Sequence, residues 1–210
     1  MKIFFIISIF VISTGCNQNY STNYQQQGST EQAVATKKVN ENANLRNVSW
    51  GMTMSDVQDA EKEAEFIGKF DDNLLYKTSV NGLDFKLGYY FIDDKLYNAA
   101  YILDETHTSE NQYISDYENL KAILTEKYGI PNIDKVIWKD DLYKDNQNDW
   151  GFAVSIGDLA YLTQWQSHET KIGIFLAGDN YDVALGIVYD SNELSPIAEQ
   201  KNNEDVKSSL

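Results

Sequence analysis

Residues 113–131, YISDYENLKAILTEKYGIP, constrain the fold more than any other stretch of this chain. Apolar side chains recur at Tyr113, Tyr117, Leu120, Leu124 and Tyr128, and Ile114 and Ile123 widen the stripe. Steps of three or four residues are the period of a helix buried along one side. Gly129 supplies a left-handed C-cap, and Pro131 prevents the helix from resuming. Runs of alternating strand-forming residues lie on both sides, so this helix divides two β-rich halves.

Upstream, residues 74–103 read as a three-stranded meander. Asn81-Gly82 is the dipeptide of a two-residue type I′ hairpin turn. It pairs Val80 with Leu83, Thr78 with Phe85, Tyr76 with Leu87 and Leu74 with Tyr89. Leu83, Phe85, Leu87, Tyr89 and Phe91 then share the core face. A two-residue turn at Asp93-Asp94 pairs Phe91 with Leu96. That register sends Ala100 and Ile102 to the core and pairs Tyr90 with Tyr97 on the other face; a three-residue turn would flip the strand. Downstream, the expected strands are 152–156, 159–167, 171–177 and 181–189, after a polar connection, 132–149, that holds Trp138. With a loop at His168-Glu169 and a two-residue turn at Asp179-Asn180, Trp165, Ile172 and Ile187 align in that second meander, as do Thr163, Ile174 and Leu185, and Tyr161, Leu176 and Val183.

Ahead of the first meander, Thr53 or Ser55 can cap a short helix, with Asp56 or Gln58 at capping-box spacing. Val57, Ala60 and Ala64 form its narrow apolar stripe. Helix followed by meander therefore occurs twice. The expected fold is α+β, with helices packed on one face of an antiparallel sheet as two tandem helix–β-meander units, 45–103 and 104–191. Residues 192–210 are polar and read as a disordered tail.

The single cysteine bounds the other end. A charged start at Lys2 and an apolar run over residues 3–12 lead to Ser13-Thr14-Gly15-Cys16. This resembles a bacterial lipoprotein signal peptide, 1–15, cleaved before a cysteine that is then lipidated; an ordinary secretory signal is the alternative. The apolar run is too short to span a bilayer. Residues 16–44 are rich in Gln, Asn, Ser and Thr, and read as a lipidated, disordered tether. The expected location is the cell envelope: a membrane anchor through Cys16, on an outer membrane facing the periplasm or on the cell surface. With a net charge of −15 and a pI near 4.4, the chain is a poor partner for nucleic acid.

Residues 50–57, WGMTMSDV, carry a further resemblance. A Gly-Met-Thr start running into a short helix and then a meander resembles the small outer-membrane assembly lipoproteins of the SmpA/OmlA type. It also resembles the β-lactamase-inhibitor protein fold, a tandem repeat of helices on an antiparallel sheet. Tyr128-Gly129-Ile130-Pro131 is similar to the Leu-Gly-x-Pro that ends the helical part of such units. The resemblance covers about a dozen residues and implies a non-catalytic, protein-binding envelope lipoprotein. No functional residue carries over.

Motifs for chemistry are sparse. His107 and His168 fall in expected loops without metal-ligand spacing, and read as solvated bystanders. Asp145, Gln147 and Asp149 alternate as calcium-loop ligands do, but Trp150 and Ile156 stand where such a loop needs glycine and glutamate. No metal or cofactor is expected. The outward sheet face is the more informative surface. In these registers it carries Lys77, Lys86, Tyr90, Tyr97 and Tyr101 from the first meander, and Leu162, Gln164, Lys171, Gly173, Phe175 and Gly186 from the second. Aromatics among small residues and lysines suit recognition of another envelope protein. Strand propensity explains the same tyrosines without any partner. A small-ligand carrier for a glycan or lipid, with a pocket near Trp138 or Trp165, is the alternative function; a carboxylate-based hydrolase is a third.

Overall fold

A short helix and then four strands make up the first half of the fold, and the second half repeats that order with one helix inserted after its first strand and another following its last. The computed structural model describes residues 44–62 and 64–208. The expected signal peptide, Cys16 and the expected tether as far as residue 43 lie outside the described residues. The first half comprises α1 (Met54–Ala60), β1 (Glu65–Phe70), β2 (Asn73–Val80), β3 (Leu83–Ile92) and β4 (Lys95–Leu103). The second comprises α2 (Asn111–Tyr128), β5 (Ile133–Trp138), α3 (Trp150–Ser155), β6 (Leu159–Gln166), β7 (Thr170–Asp179) and β8 (Asp182–Ser191), followed by α4 (Ser195–Ser208).

All the strands join one antiparallel sheet of eight, in the order β1-β2-β3-β4-β8-β7-β6-β5. Each half starts at an outer edge and runs inward. Their last strands, β4 and β8, pair in the middle from Asn98↔Asp190 to Ile102↔Gly186. The fold is α+β, and its two helix–meander halves share one continuous sheet.

The α1 terminus forms as its sequence dictates. Thr53 Oγ1 accepts from the Asp56 N–H at 3.2 Å, and the Asp56 carboxylate accepts from the Thr53 N–H at 3.1 Å. The α2 stripe buries Tyr113, Tyr117, Leu120 and Leu124. With Val57 of α1, and with Ala153 and Val154 of α3, it covers the sheet face that carries Leu74, Tyr76, Phe85, Leu87, Tyr89, Tyr161, Trp165, Ile172, Ile174 and Leu176. Some polar atoms inside this layer have partners, whereas the Tyr161 hydroxyl is buried without one. Tyr117 Oη and Thr163 Oγ1 lie 2.7 Å apart, and Thr163 Oγ1 donates to Asp134 at 2.8 Å. Trp165 Nε1 donates to the Gly129 carbonyl at 2.9 Å, so the expected ligand pocket beside Trp165 is occupied by the end of α2.

Five expectations need correction. The β7–β8 register is displaced by two residues: Ile172, Ile174 and Leu176 pair with Tyr189, Ile187 and Leu185, not with Ile187, Leu185 and Val183, because the turn falls at Asn180-Tyr181. Residues 152–156 are not a strand: Phe152 to Ser155 belong to α3, whose Gly151, Ala153, Val154 and Ser155 are all buried. A short apolar run enclosed on several sides has no periodicity to separate helix from strand. Each half has an unforeseen edge strand, β1 and β5, so the meanders are four-stranded. The tail is not disordered as a whole, since α4 occupies most of it, with Pro196 in its first turn. Lastly, β4 carries a bulge, with consequences for the outward face.

Candidate functional site

Helices α1 to α3 cover one face of the sheet, and the strand registers fix what the other face presents. One row crosses all eight strands through directly paired residues: Glu65, Lys77, Lys86, Ile102, Gly186, Phe175, Leu162 and Lys135. The adjacent row runs Gly68, Leu75, Gly88, Ala100, Val188, Gly173, Gln164 and Ile133 by the same pairings. That second row holds no charged residue. A sheet face turned to water ordinarily carries polar outward residues, and this row departs from that pattern while its neighbour, with Glu65, Lys77, Lys86 and Lys135, keeps it.

Lys77, Lys86, Tyr90, Leu162, Gln164, Lys171 and Phe175 lie on this open face as expected. Tyr97 joins them at the bulge; burial first, then the Asp190 carboxylate, raises its phenol above the ordinary value. Tyr101 does not belong to the face. The pairing runs Phe91↔Leu96 and then Tyr90↔Asn98, which leaves Tyr97 as an extra residue in β4. An extra residue inverts every following side chain. Ala99, Tyr101 and Leu103 therefore stand opposite Tyr89, Leu87 and Phe85 in the core, and Ala100 and Ile102 turn outward. Tyr101 is 5% exposed and sits edge-on to Phe85 and Tyr189, each 6.1 Å away. Burial pushes its phenol up to about 12.

Two aromatics on the open face are folded down onto glycines. A Cβ on Gly186 would meet the Phe175 ring at 2.7 Å and Ile102 Cδ1 at 2.9 Å. A Cβ on Gly88 would meet the Tyr90 ring at 3.0 Å. The rings fill the space that the glycines leave, and Phe175 is only 8% exposed. The surface is consequently flat, with aromatic faces rather than protruding anchors.

Charge on the face is largely compensated. Lys86 Nζ pairs with Asp104, and Lys171 stands opposite Asp190. Asp190 accepts from Asn98 Nδ2 at 2.7 Å, yet burial raises its carboxyl above the ordinary range. At that end α4 overlies the sheet: Ser195 Oγ donates to the Tyr97 carbonyl at 3.1 Å, and Lys201 pairs with Asp93 at 2.6 Å. A shallow recess between α4 and the strands is lined by Lys171, Asp190, Ser195 and Glu199.

On the opposite side, Glu61 was not foreseen as a core residue. It is 2% exposed, and its Oε1 accepts from Arg46 Nε at 3.0 Å and from Tyr89 Oη at 2.7 Å. Nothing in a Lys/Glu-rich helix end marks one acid as buried; the signal lies in Arg46, far enough upstream to fold back. His107 also departs from the expected solvated loop residue. Its Nε2 lies 2.6 Å from Asp116 Oδ2 and its ring is 4.5 Å from that of Tyr113. His168 is exposed. Among the described residues no group of three or more His, Cys, Asp or Glu side chains is placed to hold a metal, and no helix is long and apolar enough to cross a membrane.

Fold and face together define an α+β protein whose single antiparallel sheet has α1 to α3 on one side and, on the other, an uncharged central strip with α4 at one end. Comparisons with protein-family models, with curated proteins and with solved structures each return no match.

Proposed function

We propose that this protein is a non-catalytic bacterial envelope lipoprotein, anchored through Cys16, that binds another envelope protein across its open sheet face as an assembly factor or inhibitor. The observation that carries this reading is the row from Gly68 to Ile133, which holds no charged residue on the face opposite α1 to α3. A flat strip of glycine, alanine and valine, bordered by Lys77, Lys86 and Lys135, lets a second backbone approach closely while the rim sets its orientation. The twofold helix–meander order is also in keeping with the tandem arrangement implied by the resemblance of residues 50–57 and 128–131.

The test has an anchoring arm and a binding arm. Palmitate labelling of cells should mark the wild-type chain and not Cys16→Ser. Crosslinking in intact cells should then join the wild type to a defined envelope protein, with crosslinks mapping to β3, β8 and β6. Val188→Lys and Leu162→Lys should abolish that product while circular dichroism and the melting temperature stay near wild type. Crosslinks confined to the helical side, or undiminished in both lysine variants, would overturn the reading.

A further inference from the structure

A second surface lies at the β7–β8 turn, at one end of the strands and apart from the open face. Asn180 and Tyr181 form this turn with φ of 50° and 67°. Two other two-residue turns have the same left-handed pair, at Asn81-Gly82 and Asp93-Asp94. Glycine takes that conformation freely, and Asn and Asp tolerate it through local hydrogen bonds; tyrosine has neither advantage. Tyr181 is moreover 69% exposed, so burial does not offset the strain. Its N–H is held by the Ser155 carbonyl at 2.9 Å, which fixes the turn against α3. A strained, exposed aromatic in a turn that glycine would suit better points to a role outside folding.

Tyr181 is not alone. Its ring lies 6.3 Å from Phe152, and Phe152 lies 5.3 Å from Tyr143 in an edge-on contact. Leu142, next to Tyr143, is 75% exposed. The rim is acidic: exposed Asp179 and Asp182 flank the turn, and exposed Asp140, Asp141 and Asp145 belong to the loop bearing Leu142 and Tyr143. Lys144 pairs with Asp141 at 3.0 Å; Asp140, Asp145, Asp179 and Asp182 have no cationic partner among the described residues.

We propose that Leu142, Tyr143, Phe152 and Tyr181, with the aspartates around them, form a docking surface for an arginine- or lysine-rich peptide segment. Aromatic faces attract cations through their ring quadrupole, guanidinium most of all, and carboxylates at the rim hold the remaining charge. The charges select this occupant. A second copy would bring an equally acidic patch against this one, on chains whose net charge is −15 each. An anionic lipid surface would be repelled for the same reason.

The experiment uses the full-length chain in detergent and an arginine-rich nonapeptide, with a glutamate-rich nonapeptide and a neutral oligosaccharide as comparison probes, read by isothermal titration. Saturable binding of the basic peptide alone is expected, weakening as salt rises. Tyr181→Gly should weaken it at least tenfold while raising the melting temperature, because the same change relaxes the turn. Asp179→Asn/Asp182→Asn should also weaken binding, whereas Asp71→Asn/Asp72→Asn, which removes equal charge from the β1–β2 turn, should not. Equal losses in the two aspartate pairs would mean attraction to net charge alone and would overturn the proposal. So would undiminished binding by Tyr181→Gly, no saturable peptide binding, or capture of the oligosaccharide in place of the peptide.

Discussion

The hydroxyl of Tyr89, in the middle of β3, donates to the buried carboxylate of Glu61 at 2.7 Å, while Arg46 donates to the same oxygen at 3.0 Å from the strand-like lead-in to α1. Arg46 also reaches Thr78 Oγ1 at 2.8 Å. Three separate segments are thereby tied to one carboxylate. Burial opposes the Arg46 charge, but Tyr101 and Glu61 together raise its pKa above the ordinary value. Removing one partner should cost more than removing both. Arg46→Met leaves Glu61 buried without its counter-charge, and is expected to cost about 3–5 kcal/mol in urea unfolding. Arg46→Met/Glu61→Leu should recover most of that loss. Equal destabilisation of the single and double variants would refute the account.

Legibility varied with the physical origin of each feature. The β2–β3 hairpin was readable to the residue, because Asn81-Gly82 fixes the turn type and period-two burial fixes the face; Val80↔Leu83 through Leu74↔Tyr89 pair as expected. The Asp93-Asp94 turn was also right at Phe91↔Leu96, yet the strand beyond it inverts. Tyr97 forms a bulge because both Ala100-Ile102 and Ala99-Tyr101-Leu103 are apolar enough to face inward, so alternation could not choose between them. Tyr101 was misplaced on the candidate face for that reason alone. In α4, Ser195-Pro196 is a recognisable helix start, but the segment after it is too polar for its stripe to stand out; Ala198 is deeply buried, and most of its described neighbours are exposed. The Tyr181 surface was hidden because Asp179-Asn180 reads as the turn, which shifts the strained position by one residue.

Gly186 and Phe175 should behave as one unit. Gly186→Ala places a methyl 2.7 Å from the Phe175 ring and 2.9 Å from Ile102, so ring and strand must shift. The expected cost is about 1–3 kcal/mol, the usual range for overpacking. Phe175→Leu in the same chain should relieve much of it, giving a non-additive double-mutant cycle. Additive effects in denaturant titrations would mean that the ring does not lie over the glycine.

Asp190 should give the stability curve a slope in the acid range. Its carboxyl is raised from the ordinary 3.8, with burial the main cause and the Asn98 hydrogen bond only partly opposing it. The folded state therefore holds this proton more tightly than the unfolded chain does. That contribution is fully present below the unfolded pKa and is lost as pH rises through the folded one. Compared with Asp190→Asn, the wild type should lose melting temperature between pH 3.8 and the raised folded value. A constant difference between the two proteins across that window would exclude the effect.

Tyr97 reports whether α4 stays docked. Its phenol is raised above 10.0, first by burial and then by Asp190, Tyr90 and Glu199, and the last of these belongs to α4. Ser195 Oγ bonds the Tyr97 carbonyl, and Ala198 is 1% exposed on the same helix. Ending the chain after Leu194 removes that cover. The truncated protein should keep its sheet, lose about 1–2 kcal/mol, and melt a few degrees lower, a modest cost in line with so small a buried area. At the same time the Tyr97 titration, followed by ultraviolet absorbance against a Tyr97→Phe control, should move back toward 10.0. An unmoved titration would mean that α4 does not shield Tyr97, and that the open face extends across the whole width of the sheet.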